Sequence, residues 1–159
     1  MAVDYYLKFD GVQGESADTR SLKQIHLLTW AWRAHNLSSV ANGGGSGAGR
    51  VNIEDFTCTT YLDRSTSQLF KRIWQGAHVS SAIFSARKAG DMLDGPWLTM
   101  TFSNVFITAL STSGDFEIPG VSLSFAFEQV AIEYKVQDDK GLLKSTGAIT
   151  YNRKENKLS

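Results

Sequence analysis

The glycine-rich stretch at residues 42–49 is the part of this sequence whose residue types and spacing come nearest to a phosphate-binding site. Five of its eight residues are glycine, which would let backbone amides surround a phosphate group. A phosphate-binding loop also needs Lys and then Ser or Thr after its last glycine, with a helix following. Here Gly49 is followed by Arg50 and Val51, and the next segment has the pattern of a strand. The glycine pattern of a dinucleotide-binding motif also requires a helix directly after it, and that helix is not predicted here. Nucleotide binding is therefore not predicted.

The other residue types that could carry chemistry are widely separated. The three histidines, His26, His35 and His78, form no ligand-spaced pair with Cys, Asp or Glu. Cys58 lies in an apolar strand pattern and is expected to be a buried small side chain rather than a nucleophile. Neighbouring carboxylates such as those of residues 54–55 would point to opposite faces of an extended chain. The sequence therefore predicts no enzyme, cofactor or metal site.

Composition indicates one ordinary globular domain over residues 1–159, with 42% hydrophobic and 20% charged residues. Sixteen basic and sixteen acidic side chains cancel, which disfavours nucleic acid as a partner. A single cysteine fits synthesis in a reducing cytoplasm. The start of the chain lacks a signal-peptide pattern, and no apolar run approaches the ~20 residues of a membrane span. We therefore expect no membrane insertion.

Alternation of apolar and polar residues predicts a mainly β protein. The alternation changes phase near Glu128 and Gln129, where a bulge is predicted within one continuous strand. Several strands, short turns and one helix favour an antiparallel barrel or sandwich. The main predicted strands span residues 3–9, 25–34, 51–62, 78–88, 97–110, 121–134 and 148–151.

One helix is predicted at residues 65–75. Ser65 followed three residues later by Gln68 has the pattern of a capping box, and Gly76 suits the end of the helix. Four apolar residues at helical spacing are expected to dock the helix on the sheet. They are Leu69, Phe70, Ile73 and Trp74.

Six groups of residues, taken in order along nearly the whole chain, resemble the Hcp (haemolysin-coregulated protein) family, which forms the inner tube of the type VI secretion system. Each group is weak alone, but their order and spacing are specific. The groups are Asp4-Tyr5-Tyr6-Leu7-Lys8 with Gly11-Val12 and Gly14-Glu15-Ser16, Trp30-Ala31-Trp32, the glycine-rich stretch through Arg50-Val51, Tyr61-Leu62-Asp63-Arg64-Ser65-Thr66, Arg87-Lys88-Ala89-Gly90, and a late strand from Ser124-Phe125 to Tyr134.

The resemblance implies an antiparallel two-sheet β-barrel with one flanking helix, which assembles as a hexameric ring. It implies that rings stack into a tube, that a contractile sheath and a spike are partners, and that effectors travel in the lumen. It also implies that the protein is made in the cytoplasm and exported by the type VI apparatus itself, without a cleaved signal peptide.

Within this resemblance, the extended glycine-rich loop at about residues 37–50 is interpreted as an assembly loop that becomes ordered on an adjacent subunit or ring. Glycines would permit close backbone approach, and an arginine could pair with a carboxylate across the interface. The candidate residues are Gly43, Gly44, Gly45, Ser46, Gly47, Ala48, Gly49 and Arg50.

An alternative is a free-standing β-barrel module that binds a ligand, such as a sugar or peptide, through Trp30, Trp32 and Trp97. Aromatic residues in strands belong to a core or an interface more often than to a ligand platform. Gel filtration distinguishes the two hypotheses, because the binding module would be a stable monomer and the tube subunit would be a hexamer.

Overall fold

The computed structural model describes residues 2–36, 51–90, 95–114 and 117–159. In these ranges all strand pairings are antiparallel, and no helix is long and apolar enough to cross a membrane. The mainly β architecture predicted from the sequence is confirmed. The elements are β1 (Val3–Phe9), β2 (Ile25–Ala31), β3 (Ala34–Asn36), β4 (Val51–Ile53), β5 (Phe56–Tyr61), α1 (Arg64–Gln75), β6 (Val79–Lys88), β7 (Leu98–Ser113), β8 (Gly120–Gln137), β9 (Leu143–Asn152) and β10 (Lys157–Leu158).

Six of the strands close into a barrel. Each strand in the order β8–β5–β2–β1–β6–β7 pairs with the next, and β7 pairs with β8 to complete the circle. The closing pair is the longest, running from Leu98 opposite Tyr134 to Ser113 opposite Gly120. Closure removes the unpaired edges that an open sheet would expose. The predicted antiparallel barrel with one helix is confirmed, and β3–β4, β9 and β10 are additions to it.

Phenylalanine rings fill the interior of the barrel. Phe125 has its ring centroid 5.1 Å from those of Phe56 and Phe102, and 5.5 Å from that of Phe9. These side chains and Phe84 are fully buried. Each aromatic side chain removes a large apolar area from water, and edge-to-face contacts add to that stabilisation. Burial of these rings therefore holds the six strands together.

β8 takes part in two sheets along its length. Residues 120–125 pair with β5 inside the barrel, and residues 129–137 pair with β9 beyond it. β7 accompanies β8 along both parts. The barrel sheet is consequently extended past the barrel by the second half of β8, by β9 and by the short β10.

The bulge predicted at Glu128 and Gln129 is wrong, although the prediction of one continuous strand is confirmed. β7 and β8 keep a single register on both sides of Glu128. The apolar pattern changes phase where the β7–β8 ladder omits the pair Asn104 and Glu128, and in the same region β8 exchanges β5 for β9 as its neighbour. Asn104 of β7 has φ 51° at this point, and its amide donates to the Glu128 carboxylate at 2.7 Å. The register shift between β7 and β8 lies between Ile107 and Ala109.

The predicted helix is confirmed to within one residue, but its capping residues are different. Asp63 is the N-cap, and its carboxylate accepts the backbone N–H of Ser65 at 2.8 Å. The hydroxyl of Thr66 accepts the backbone N–H of Asp63 at 3.3 Å, which completes a capping box. The Gln68 amide instead contacts the backbone of Gln13 in the connection between β1 and β2. Gly76 ends the helix with φ 60°.

The predicted apolar stripe of α1 is only partly correct. Leu69 is buried and Ile73 is half-buried, so these two side chains dock the helix. Trp74 is 79% exposed, because five residues at 3.6 residues per turn rotate it about 140° away from Leu69. Its indole stacks on the ring of Phe70, with the centroids 5.6 Å apart.

The connection between β1 and β2 forms a layer over the outer face of β1. Tyr6 points out of the barrel but is only 4% exposed, since this connection covers it. Gly14 donates its N–H to the carbonyl of Lys23, and Lys23 donates to the carbonyl of Ser16, both at 2.8 Å. A β-carbon at Gly14 would lie 2.5 Å from the carbonyl oxygen of Gln24. A glycine is therefore required for this close approach.

Asp18 and Arg20 fasten the same layer. The Arg20 guanidinium donates to both carboxylate oxygens of Asp18, at 3.1 Å from Nε and 2.8 Å from Nη2. Tyr6 donates its hydroxyl to Asp18 at 3.4 Å. Hydrogen bonds from Arg20 favour the charged carboxylate and hold the pKa of Asp18 well below its usual range.

Replacing Gly14 with Ala is expected to lower the free energy of unfolding by about 1–3 kcal/mol, as is typical of overpacking against atoms that cannot move away. The atoms nearest the added methyl group belong to the backbone of Gln24 and Ile25. Gly120→Ala is the matched control, because a β-carbon there has no neighbour within 4 Å. It should change stability by no more than about 0.5 kcal/mol. Urea unfolding followed by circular dichroism measures both, and equal effects would contradict the packing argument.

Asp18→Asn is expected to reduce stability at neutral pH, with a deficit that disappears in acid. The folded-state pKa of Asp18 is depressed, so its stabilisation is complete above the unfolded value of about 3.9 and is lost as the pH falls towards the folded value. The gap in unfolding free energy between wild type and variant should therefore narrow below about pH 4. Asp139→Asn, at an exposed turn position, should show no such trend. A gap that does not change with pH would rule out the ionised Asp18–Arg20 pair as its source.

Candidate functional site

The residues considered for chemistry are not brought together. Cys58 is 3% exposed, and burial raises the pKa of its thiol to about 12, which leaves it unreactive as a nucleophile. His26 lies 3.5 Å from a carboxylate oxygen of Asp4, and His78 packs against the ring of Phe106. Across residues 2–36, 51–90, 95–114 and 117–159, no group of three or more His, Cys, Asp or Glu side chains could hold a metal ion.

The three tryptophans proposed as a ligand platform pack into the barrel or against its rim. Trp30 lies 4.6 Å from Phe84 between ring centroids, and Trp97 meets Tyr134 edge-on at 6.0 Å. Trp32 donates its indole N–H to the backbone carbonyl of residue 54 at 3.0 Å. All three are half-buried; Trp30 lies in β2, Trp32 just after it, and Trp97 just before β7. They do not form one exposed aromatic surface.

An open apolar groove of about 200 Å³ lies where the extended sheet meets the β3–β4 ribbon. Alternation along β8 and β9 places every second side chain on this surface. Val130 forms part of its base and is 2% exposed, whereas Ile149 and Leu158 are 56% and 69% exposed. The apolar groove is lined by Trp32, Val51, Ile53, Val130, Ile132, Ile149, Tyr151 and Leu158.

Two side chains fix the β3–β4 ribbon beside the groove. The first is Trp32, through the indole hydrogen bond described above. The second is Arg153, whose guanidinium donates to the carbonyl of Phe127 in the barrel at 3.1 Å and to that of Ile53 in the ribbon at 3.4 Å. The guanidinium also lies over the Phe127 ring, 5.4 Å from the centroid. Arg33 and Glu54 form an ion pair of 2.9 Å at the base of the ribbon.

The outer edge of β9 borders the same groove. Among the described residues, its partners on that side are β10, opposite Tyr151 and Asn152, and Ser159, which exchanges backbone hydrogen bonds with Thr150 at 2.8 Å. The rest of β9, from Leu143 to Ile149, therefore presents backbone N–H and carbonyl groups along an open edge. An apolar surface beside an open strand edge is the chemistry of a protein interface.

A second exposed surface of the barrel carries only small uncharged side chains. It covers the part of the outer face of β2, β5, β8 and β7 around the hydroxyls of Thr29 and Thr59, which lie 2.6 Å apart. We call it the hydroxyl face. One row across the four strands is Thr29, Thr59, Ser122 and Ser111, and the next row is Ala31, Thr57, Ser124 and Ala109.

The predicted assembly loop, residues 43–50, lies outside the described residues, as does the wider loop at 37–50. The strands on either side of it are β3 and β4, which pair with Asn36 opposite Val51. Val51 is also one of the residues lining the apolar groove.

Sequence reasoning did not identify the groove. A partial signal was present, because Val130 and Ile132 continue the apolar alternation of β8 after its change of phase. Their contact with Ile149 and Tyr151 follows from the β8–β9 hairpin, but the approach of Trp32, Val51 and Ile53 from the other side of the groove could not be read from the sequence.

Comparison with known proteins gives one consistent result. The profile of the family described as "Type VI secretion system effector, Hcp" matches residues 6–134. A curated relative, Protein hcp1 of Pseudomonas aeruginosa, is 36% identical over 155 residues, which cover 95% of this chain and 94% of that protein.

Solved structures agree in fold over the full length. A structure described as a type six secretion system protein has a TM-score of 0.91 and 27% identity, covering 99% of this chain and all of that one. Hcp1 from Salmonella typhimurium has a TM-score of 0.82 and 30% identity, with both chains fully covered. The matched family is structural, so the prediction that the protein is not an enzyme is confirmed. The chain belongs to the Hcp family of secreted type VI secretion system proteins.

Proposed function

We propose that this protein is a structural subunit of the type VI secretion inner tube, in which six copies form a ring and rings stack into a tube whose lumen carries effectors. The observation that supports the proposal most is the apolar groove beside the open edge of β9. Along Leu143–Ile149 this edge has no partner among the described residues, so an apolar surface and free backbone groups are offered together to another copy.

Ring formation needs a heterologous contact, in which one surface of a subunit meets a different surface of the next, repeated until the ring closes. The groove supplies an apolar surface, and the β9 edge supplies backbone groups for strand pairing. Complete burial of an apolar side chain is worth roughly 1.5–3 kcal/mol, and Ile149 and Leu158, which are 56% and 69% exposed, would each contribute about half to two-thirds of that to such a contact. The zero formal net charge limits repulsion between copies.

The hydroxyl face is the surface that we assign to the wall of the lumen. Its eight residues carry no charge and no large apolar side chain. A wall of this kind can hydrogen-bond through water with many cargo surfaces without holding any of them tightly. Contacts that are weak and replaceable suit a passage through which different effectors travel.

The remaining partners follow from the family. We propose that the assembled tube meets a contractile sheath along its outside and a spike at its end. We also propose that the protein is made in the cytoplasm and leaves through the type VI apparatus without cleavage of a signal peptide. These partners and this route rest on the family relationship.

The competing function is a free-standing β-barrel module that binds a ligand. It loses support because Trp30, Trp32 and Trp97 are half-buried and have different contact partners, instead of sharing an exposed face. Gel filtration with light scattering on the purified chain separates the two functions. A hexamer supports the tube subunit, and a stable monomer at all concentrations supports the module.

Ile149→Glu is expected to weaken ring assembly about tenfold or more, because it places a carboxylate in the apolar groove. The monomer should stay folded, since Ile149 is 56% exposed. Leu22→Glu is the matched control: Leu22 is 58% exposed in the connection between β1 and β2, outside the groove. Light scattering across a dilution series measures the oligomer. Unchanged hexamers of the Ile149 variant, or equal loss in the control, would contradict the assignment of the groove.

Replacing Gly44, Gly45 and Gly47 together with bulky residues is expected to leave the monomer folded but to weaken rings or their stacking. The physical reason is that bulky side chains would prevent close backbone approach to a neighbouring copy. Circular dichroism checks the fold, and electron microscopy checks rings and tubes. Intact tubes formed by the triple variant would show that these glycines are not needed for assembly.

A further inference from the structure

Helix α1 carries an exposed aromatic pair that the barrel does not use. At 79%, Trp74 has the largest exposed fraction among the large hydrophobic side chains described. Its ring stacks on that of Phe70, with centroids 5.6 Å apart and planes 26° from parallel. Stacking holds the indole in one orientation, so little side-chain entropy would be lost on binding.

All charges on α1 are positive. Its sequence contains Arg64, Lys71 and Arg72 and no acidic residue. Within the described part of the chain, none of these three side chains forms an ion pair. Arg72 lies near Gly11 at the barrel side of the helix, whereas Arg64 and Lys71 are exposed.

The exposed charges and the indole share one side of the helix. Residues 64, 67, 71 and 74 follow each other at intervals of three and four, which places them along one face. The opposite side, with Leu69 and Ile73, packs on the barrel. We define the aromatic–basic face of α1 as Arg64, Ser67, Phe70, Lys71 and Trp74.

We propose that the aromatic–basic face is a docking site for an acidic amphipathic segment of a different protein. Trp and Arg are the residue types that contribute most at protein interfaces, where one rigid aromatic anchor commonly dominates the affinity. An apolar side chain of the partner would cover the Trp74 indole, and its carboxylates would meet Lys71 and Arg64. The exposed positive charges would also accelerate encounter with an acidic partner.

A second copy of this chain fits the surface less well. The apolar groove already offers an uncharged face for self-association, and none of its lining residues belongs to α1. A membrane surface also fits less well, because an interfacial helix inserts a wide apolar face. In α1 the residues Leu69 and Ile73 are turned into the barrel, and the exposed apolar area is mainly one indole. The inference does not depend on ring assembly.

The test uses the full chain and a fluorescein-labelled synthetic helical peptide with leucines along one face and glutamates on both flanks. Fluorescence anisotropy should show binding that weakens as salt is added. Trp74→Ala and Lys71→Glu should each raise the Kd about tenfold or more. Two exposed positions elsewhere provide matched controls, and Tyr134→Ala and Lys140→Glu should leave the Kd within about twofold. The same peptide with lysine in place of glutamate should not bind.

Several outcomes would overturn the proposal. The first is a peptide that fails to bind, or that binds the α1 variants and the controls equally. The second is loss of hexamers in Trp74→Ala by light scattering, which would place the face between copies. The third is binding of anionic phosphatidylserine vesicles, lost in the same two variants, without binding of the peptide. Ile149→Glu should keep full peptide affinity, so failure of ring assembly and failure of this proposal are separable.

Discussion

The pairing of β7 with β8 closes the barrel and continues beyond it. β8 has 18 residues, which span about 60 Å at roughly 3.3 Å per residue, whereas its neighbour β5 has six. The part of β8 that extends past β5 keeps its backbone groups satisfied by pairing with β9. The extended sheet, the open edge of β9 and the groove therefore all depend on a strand that is longer than the barrel requires.

This constraint separates the buried core from the proposed assembly surface. Inside the barrel, rings such as Phe56 and Phe125 are fully buried without help from another molecule. Outside it, the continued alternation of β8 leaves Ile132 half-buried and brings it to the groove beside the exposed Ile149. The ribbon of β3 and β4 covers part of this apolar surface and is held by the indole of Trp32 and the guanidinium of Arg153. What remains uncovered includes more than half of the side chains of Ile149 and Leu158.

Local patterns in the sequence predicted the elements better than their contacts. Period-two alternation identified β1 and β8, and helical spacing identified α1 to within one residue. The N-cap was misplaced because two pairs of residues at the same spacing, Asp63 with Thr66 and Ser65 with Gln68, could form a capping box. The backbone path into the helix, which the sequence does not give, decides for Asp63. Trp74 was assigned to the buried stripe, although its angle around the helix places it in solvent. The groove could not be predicted, because it forms where the β3–β4 ribbon meets the β8–β9 hairpin, and these segments are distant in sequence.

The three described surfaces differ in chemistry in a way that suits three kinds of contact. The apolar groove gains most from complete exclusion of water, which favours a fixed contact between copies. The hydroxyl face offers hydrogen bonds that water can replace at little cost, which favours transient contact with varied cargo. The aromatic–basic face of α1 combines one rigid anchor with charges that act over about 10 Å, which favours rapid recognition of an acidic partner. Because each surface uses a different interaction, we expect a change in one to leave the others intact. The proposed tube subunit, which would bind copies of itself, cargo and other proteins, would need that independence.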